Sequence, residues 1–582
     1  MTAFIPLKDF FKKHKWNYIF GILWLLSIDS IQLLVPQIYR SLTNDFEKGI
    51  LIKANIIKYV LLIVATGLII GVGRYFWRIY ILGTSRELEY YIRKKIYNHL
   101  LTLSQGYYNT HKTGDLMAHA TNDVNAVRMA IGQGTVMIVD SLFLIVLSII
   151  MMIRTTNLRL TAIALFTLPF IIIVVSRFGK VIHKRFRVVQ EAFSDLTYTT
   201  QESFSGIRVI KSFVQENLVL DHFTKVNEDN LNKNISLVLV SGTFHPFIQF
   251  ISSISFLLII FFGGKEVILN KINLGDFIAF NFYLGLLIWP MMALGWVINL
   301  LQRGAASMER INLILEEKPE IFSLEEAIHL DQIKGKVQFS DVSYKYPGSN
   351  YYALKDINFT IDPGKSLAII GKTGSGKTTI VNLLLRLFDI DKGQILLDDY
   401  PIGNLDLKTL RENIGYVPQD NFLFSTSIED NISFAFDESI QMEKIHHASK
   451  VAEVYENIVD FPNKFDTVLG ERGVTLSGGQ KQRTSIARAI IKEPPVLILD
   501  DSLSSVDTET EEKILSNLKS IFSYCTTIII SHRISTIKDC NEIIFLEDGK
   551  IVERGTHKYL LSQDGPYRDL FEKQLLEEKI NN

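Results

Sequence analysis

The sequence predicts two structural classes in one chain: an all-α domain of six membrane-spanning helices, then an α/β domain built around a P-loop. Three observations carry this. Long apolar runs fill the first half, while charge, turn residues and short strand-like runs fill the second. A glycine-rich stretch, Gly371 to Thr378, sits between a strand pattern and a helix pattern. At 582 residues the chain is also longer than one hydrophobic core sustains.

A helix needs about 20 mostly apolar residues to cross a hydrocarbon layer about 30 Å thick. Six stretches qualify: Tyr18–Ile38, Ile56–Trp77, Thr135–Ile153, Leu158–Ser176, Leu237–Phe262 and Phe277–Leu300. Helices are expected because lipid supplies no partner for free backbone groups and the runs lack strand alternation. Only Arg154–Asn157 separates the third and fourth, which predicts a tight hairpin. Basic residues at Lys8 to Lys15, Arg74 to Lys95 and Arg177 to Arg187 place the N-terminus and two long connections in the cytoplasm. Those connections, 78–133 and 177–236, are too long for structureless loops. They are expected to be helices that run on past the membrane and turn near Tyr107–Asp115 and Ser203–Gln215. No cleavable signal is expected at the N-terminus, because the apolar run continues too far. Lysine- and isoleucine-rich composition suits a bacterial plasma membrane.

Within the spans, Asp29 is costly in lipid and is expected to face the bundle or a wet cavity. Its role is either with substrate or protons, or a structural hydrogen bond. His245 with Pro246, and Pro290, read as kinks. Phe244, Phe247, Phe250, Phe280 and Trp289 are placed either to line an amphipathic cavity or to pack toward lipid. The two cysteines, Cys525 and Cys540, match no metal spacing and read as core thiols. A net charge of -1 offers no basic field, so nucleic acid is not an expected partner.

The domain limits read as 1–315 for the membrane domain, 316–335 for a charged linker and 336–582 for the α/β domain. Ser366–Ile370 reads as a buried strand and Thr378–Leu387 as a helix. Between them, Gly371, Lys372, Thr373, Gly374, Ser375 and Gly376 form the loop, followed by Lys377, Thr378 and Thr379. Such a loop wraps phosphates with backbone N–H groups, and the helix start adds its positive end. Lys377 is expected on the β- and γ-phosphates and the Thr378 hydroxyl on Mg²⁺. Pro495–Leu499 is an apolar strand ending in Asp500, an acid placed to hold the metal. Leu476, Ser477, Gly478, Gly479 and Gln480 precede a second helix pattern, Lys481–Ile491, and offer a second phosphate-binding end. Two such ends suit two domains packed head to tail, each lending one.

With these motifs, the second half resembles the nucleotide-binding domain of ATP-binding-cassette transporters, and the first half resembles their six-helix exporter domain. The resemblance covers nearly the whole chain and implies ATP and Mg²⁺ as cofactors. Leu476 to Gln480 matches the family signature. Tyr346 resembles the aromatic that stacks on adenine, and Gln419 the glutamine that senses the metal and contacts the membrane domain. Ser504–Asp507 resembles the D-loop and His532 the switch histidine that contacts the γ-phosphate. Gly470 to Gly473 is similar to an exporter-specific loop, and Tyr107–Asn122 and Glu202–Phe213 to the segments around two coupling helices. Alternating access driven by ATP closure and hydrolysis is the cycle this implies.

One departure stands out. The family usually carries Asp-Glu at the end of the second apolar strand, the glutamate polarising the attacking water. Here Asp501 follows Asp500. Aspartate is one methylene, ~1.5 Å, shorter. General-base catalysis contributes about 10²–10⁴-fold and depends on reach, so slow hydrolysis at this chain's own P-loop is expected. In the family that substitution marks one chain of heterodimeric exporters. The resemblance thus implies a second half-transporter carrying the glutamate, with membrane lipid and an exported amphipathic substrate, a small molecule, drug, lipid or peptide, as the other partners. A homodimer that tolerates aspartate, and an ATP-binding regulatory subunit, remain open alternatives.

Overall fold

The computed structural model describes residues 2–581 apart from 437, 439, 471–475 and 523–524; the side chain of His245 lies outside what is described. The chain forms two compact units. One comprises Met1–Leu101 and Thr113–Glu317, the other Thr102–Lys112 and Lys318–Asn582.

The first unit is helical throughout. Among the described residues, five helical stretches are long and apolar enough to cross a membrane: Ala3–Glu47, Lys53–Leu100, Thr113–Thr155, Glu216–Ile268 and Leu274–Glu316. The remaining expected span is covered by helices Leu158–Leu165 and Leu168–Ser205. The hairpin before it is closed by Asn157, whose side chain caps the helix start through the Leu160 N–H at 2.8 Å. The long connections are helical as expected, and each turn carries a short helix, Gln105–Thr110 and Ile207–Ser212. Helix Glu216–Ile268 runs on through Pro246 and helix Leu274–Glu316 through Pro290, so neither proline ends its helix.

The first span lies within the helical stretch Ala3–Glu47, which is interrupted at one residue. It is two helices, Lys8–Gln32 and Leu34–Glu47, broken at Leu33. Pro36 has no N–H for the Gln32 carbonyl, and its ring crowds that carbonyl. Tyr283, fully buried, ties the break together. Its hydroxyl donates to the Leu33 carbonyl at 3.0 Å and accepts from Gln37 Nε2 at 2.8 Å. Nearby, Arg40 pairs with Asp276, and the Gly275 N–H donates to Asn44 Oδ1 at 3.1 Å.

Where the helices extend past the predicted spans, Leu88, Ile92 and Ile96 pack with Val124, Val127, Met308 and Ile311. Asp123 is buried beside this core. It accepts from Ser307 Oγ at 2.8 Å, Arg310 Nε at 3.0 Å and His119 Nδ1 at 2.7 Å. Burial alone would raise its carboxyl, but bonds from Arg310, His119 and Ser307 outweigh it and hold the group at about 2.

The second unit holds two sheets. Strands β1 (Val337–Tyr344), β2 (Leu354–Ile361), β4 (Lys392–Leu397) and β5 (Tyr400–Pro401) form an antiparallel sheet in the order β2-β1-β4-β5. The other sheet runs β10-β9-β3-β8-β7-β6. Its members are β3 (Ser366–Gly371), β6 (Ile414–Val417), β7 (Val496–Asp500), β8 (Thr526–Ile530), β9 (Glu542–Glu547) and β10 (Lys550–Gly555). All its pairings are parallel except β9 with β10.

Because successive strand residues point to opposite faces, this sheet sorts its side chains into two cores. Leu367, Ile369, Val496 and Ile498 join one core with Ile380, Val381 and Leu384 of helix Lys377–Leu384. Ala368, Ile370, Leu497 and Leu499 join the other with Ile486, Ala487 and Ile490 of helix Gly478–Ile490. The P-loop helix and the signature helix therefore cover opposite faces. Helix Lys377–Leu384 is shorter than predicted. Arg386 turns left-handed at φ +49°, and the Leu387 N–H closes back on the Asn382 carbonyl at 2.9 Å.

Within the charged linker, Ser323 and Ile328 bond to the second unit. Ile328 exchanges backbone bonds with Asn404 and Asp406 at 2.8 and 3.1 Å, and Ser323 Oγ donates to Asp406 at 2.8 Å. In the same unit, Ser104 donates to Glu320 at 3.1 Å, which fixes the short helix Gln105–Thr110 there. Cys525 is buried and Cys540 half-buried, and burial pushes both thiols up to about 12.

Candidate nucleotide site

Strands β3, β8, β7 and β6 are neighbours in that order, so the segments leaving their carboxyl ends collect on one edge. Those segments are the P-loop after β3, His532 after β8, Asp501 after β7 and Gln419 after β6. The parallel topology thus brings together groups far apart in sequence.

The P-loop is shaped by glycines where a side chain would be strained. Gly374 and Gly376 lie at φ +82° and +103°. A Cβ on Gly376 would also stand 2.6 Å from the Ala353 carbonyl. Lys377 is buried, and its Nζ donates to the carbonyls of Gly371 and Lys372 at 3.0 and 2.9 Å. Burial pulls its ammonium down, with Asp500 and Asp501 opposing. Gly376 caps the helix without a side chain, which leaves the first N–H groups to a ligand. Not every loop residue contributes a side chain. Lys372 Nζ is drawn to Glu547 at 2.6 Å, so only its backbone serves the loop. Thr373 is exposed, and Ser375 is buried with its hydroxyl unpartnered.

Asp500 is 1 % exposed, and its Oδ2 has no hydrogen-bond partner. Thr378 hydrogen-bonds the same carboxyl. Burial, with Asp501 beside it, pushes the Asp500 carboxyl up to about 6, against the pull of Thr378 and Lys377. A buried carboxylate oxygen without a donor, beside a threonine hydroxyl, suits a hard divalent cation. Among the described residues no cluster of three His, Cys, Asp or Glu forms a metal cage.

Asp501 lies at φ +46°, a region aspartate tolerates better than most residues. Its N–H donates to the Ile530 carbonyl at 2.9 Å, which ties the β7 tip to β8 beside His532. His532 and Gln419 are exposed; their carbonyls accept from Gln574 at 2.6 Å and Asn421 at 3.3 Å. Tyr346 stands edge-on to Phe388, 5.5 Å between centroids. Its hydroxyl meets that of Thr379 at 3.1 Å, which ties the aromatic to the helix after the P-loop.

The signature forms a different kind of helix start. Ser477 accepts from the Gln480 N–H at 3.3 Å, and Gln480 Oε1 accepts from the Ser477 N–H at 2.9 Å. A Cβ on Gly479 would stand 3.0 Å from the Ser505 carbonyl, so this glycine lets the D-loop lie close. Gln482 then grips the D-loop through Ser504 at 3.2 Å and the Ser505 N–H at 3.0 Å. Gln482 escaped the sequence reading because nothing local marks it as a D-loop anchor. Residues 471–473 of the expected exporter loop lie outside the described residues.

Comparison with known proteins agrees with this geometry. Residues 18–291 match the ABC transporter transmembrane region family and residues 354–504 the ABC transporter family. The chain is 37% identical over 567 residues to the probable multidrug resistance ABC transporter ATP-binding/permease protein YheI of Bacillus subtilis (strain 168), covering 97% of each. It is 36% identical to the multidrug resistance-like ATP-binding protein MdlA of Escherichia coli (strain K12), covering 100% of this chain and 98% of that one. An ATP-dependent lipid A-core flippase of Syntrophus aciditrophicus (strain SB) is 34% identical, covering 91% and 87%. The fold is shared with a bacterial Atm1-family ABC exporter solved with ATP bound, at a TM-score of 0.79 and 24% identity over 96% and 98% of the chains. A helical membrane unit and a cassette ATPase with P-loop and signature in one chain make this protein a member of the ABC transporter family, an exporter half-transporter whose ATPase is coupled to transport.

Proposed function

We propose that this chain is the degenerate-site subunit of a heterodimeric exporter that moves small amphipathic molecules, drugs or lipids across a bacterial plasma membrane. The observation that carries the pairing is the two-faced sheet. The P-loop helix and the signature helix cover opposite faces of one domain, so each start is free to serve a separate composite site. Asp501 supports the degenerate reading, being shorter than the glutamate that would polarise water and fixed to β8 through its own backbone. In this reading Thr378 and Asp500 hold Mg²⁺, which supplies charge neutralisation at the phosphates. Lys377 and the loop backbone hold ATP, Tyr346 stacks on adenine, and His532 and Gln419 read the γ-phosphate and metal. The intact Ser477–Gln480 end completes the site on a partner's P-loop. The relatives named for multidrug resistance and for a lipid flippase support an amphipathic cargo.

The test is turnover by the purified chain alone and with a candidate half-transporter. Alone, it should bind ATP and hydrolyse it slowly, and Asp501→Glu should raise the rate. Fast hydrolysis by the chain alone, unchanged by that substitution, sinks the degenerate-site reading.

A further inference from the structure

Helix Pro566–Asn581 is seated on the nucleotide unit by Tyr567, Leu570 and Phe571, which pack on the core that holds Ile529, Ile534 and Ile537. Gln574 follows Tyr567 by about two helical turns and continues the same core-facing stripe. An apolar side chain would serve packing better at that position. The amide is directed instead at the turn after β8. Its Nε2 donates to the His532 carbonyl at 2.6 Å, and its Oε1 accepts from the Ile534 N–H at 3.0 Å. The second bond satisfies the first N–H of helix Ile534–Ile537, whose start has no side-chain cap. An amide is both donor and acceptor, so it closes both bonds at once where a carboxylate could not.

The rest of the turn is held differently. The Arg533 N–H donates to the Ser531 hydroxyl at 3.0 Å. The Arg533 guanidinium reaches Glu511 at 2.7 Å, a carboxylate 3 % exposed that also accepts from Thr536. That ion pair fixes the far end of a long, flexible side chain and not the backbone beside it. Gln574 grips the backbone on both sides of Arg533. His532 is exposed, so the backbone of this turn sets where its imidazole can reach.

We propose that Gln574 is a positioning residue for the γ-phosphate contact of His532, setting the turn from which the imidazole reaches the nucleotide. This rests on the role given to His532 above and adds a residue that acts through it. The measurement is the affinity of the full-length chain in lipid nanodiscs for ADP and for adenylyl imidodiphosphate, a triphosphate analogue that resists hydrolysis. Both are read with Mg²⁺ by equilibrium dialysis. The wild type should prefer the triphosphate, and His532→Ala should cut that preference by roughly tenfold or more. Gln574→Met, which keeps length and packing, should cut it by roughly threefold to tenfold with ADP affinity unchanged. Gln574→Glu keeps the acceptor for Ile534 but sets a carboxylate against the His532 carbonyl, and should cut it at least as much. In a His532→Ala chain, Gln574→Met should change nothing further, because the ring it acts through is gone. A preference unchanged in both Gln574 variants, an equal loss of ADP and triphosphate affinity, or a further loss in the doubly substituted chain would overturn the assignment. A full preference in His532→Ala would instead defeat the γ-phosphate role on which it rests, and the proposal with it.

Discussion

Asp123 and Asp500 are both buried acids, one in each unit, and they are handled in opposite ways. Asp123 is saturated: Ser307, Arg310 and His119 all donate to it, and its carboxyl sits at about 2. Asp500 keeps one oxygen bare in a site with Lys377 and Thr378, and its carboxyl is pushed up to about 6. A buried acid with every lone pair satisfied is part of the frame. One that keeps an oxygen open is waiting for charge from outside the chain.

Substitution should separate the two. Asp500→Asn should leave the folded domain intact. The chain's own Mg²⁺-dependent ATP affinity should fall by at least the roughly 10–100-fold that losing even an outer-shell metal partner costs. An unchanged affinity would place Asp500 with the framework acids. Asp123→Asn should do the reverse, leaving ATP affinity near wild type. It should destabilise the helical extensions by about 1.5–3 kcal/mol, because Ser307, Arg310 and His119 lose their charged acceptor; denaturant melts of the solubilised chain measure this.

The pH dependence has a definite sign. Asp123 is depressed in the folded state, so its stabilisation is complete above about pH 4, the unfolded carboxylate value, and is lost as pH falls toward 2. Hydrogen exchange of 119–131 in acid should show that loss in the wild type and not in Asp123→Asn. The smallest effect should come from the signature end. Ser477→Ala removes one cap and should cost about 1 kcal/mol of helix stability. The chain's own ATP affinity should stay unchanged while turnover of the paired complex falls. A loss of the chain's own ATP affinity would mean that both helix starts act on one nucleotide.

What was legible in the sequence followed the length of its signals. The strand predicted at Ser366–Ile370 is β3, one residue longer, and that predicted at Pro495–Leu499 is β7, displaced by one. Both are unbroken apolar runs bounded by proline, glycine or aspartate, which is how a strand buried on both faces reads. The antiparallel sheet of β1, β2, β4 and β5 was visible only as short strands and turns, because its pairings join distant segments. Pro36 was an unused sign of the break at Leu33. Asp140 was passed over inside its span, although an acid in an apolar run deserved the weight given to Asp29. Of the aromatics proposed for a cavity, Trp289 lines one, whereas Phe244 and Phe280 are core. Local pattern could not say that 102–112 folds with the nucleotide unit, since that depends on Glu320, far along the chain.

The break at Leu33 has a mechanical corollary. Beyond it, helix Leu34–Glu47 is fastened to the start of helix Leu274–Glu316 by Gln37, Arg40 and Asn44. The Leu33 carbonyl at the break is held by Tyr283 of that same helix, so any tilt of Leu34–Glu47 would carry the start of Leu274–Glu316 with it. Asp29 lies one helical turn before Leu33, and its carbonyl accepts the Leu33 N–H at 3.2 Å. Asp29 and Gln32, just before the break, line a cavity in the membrane unit, so a tilt there would bear on that cavity directly.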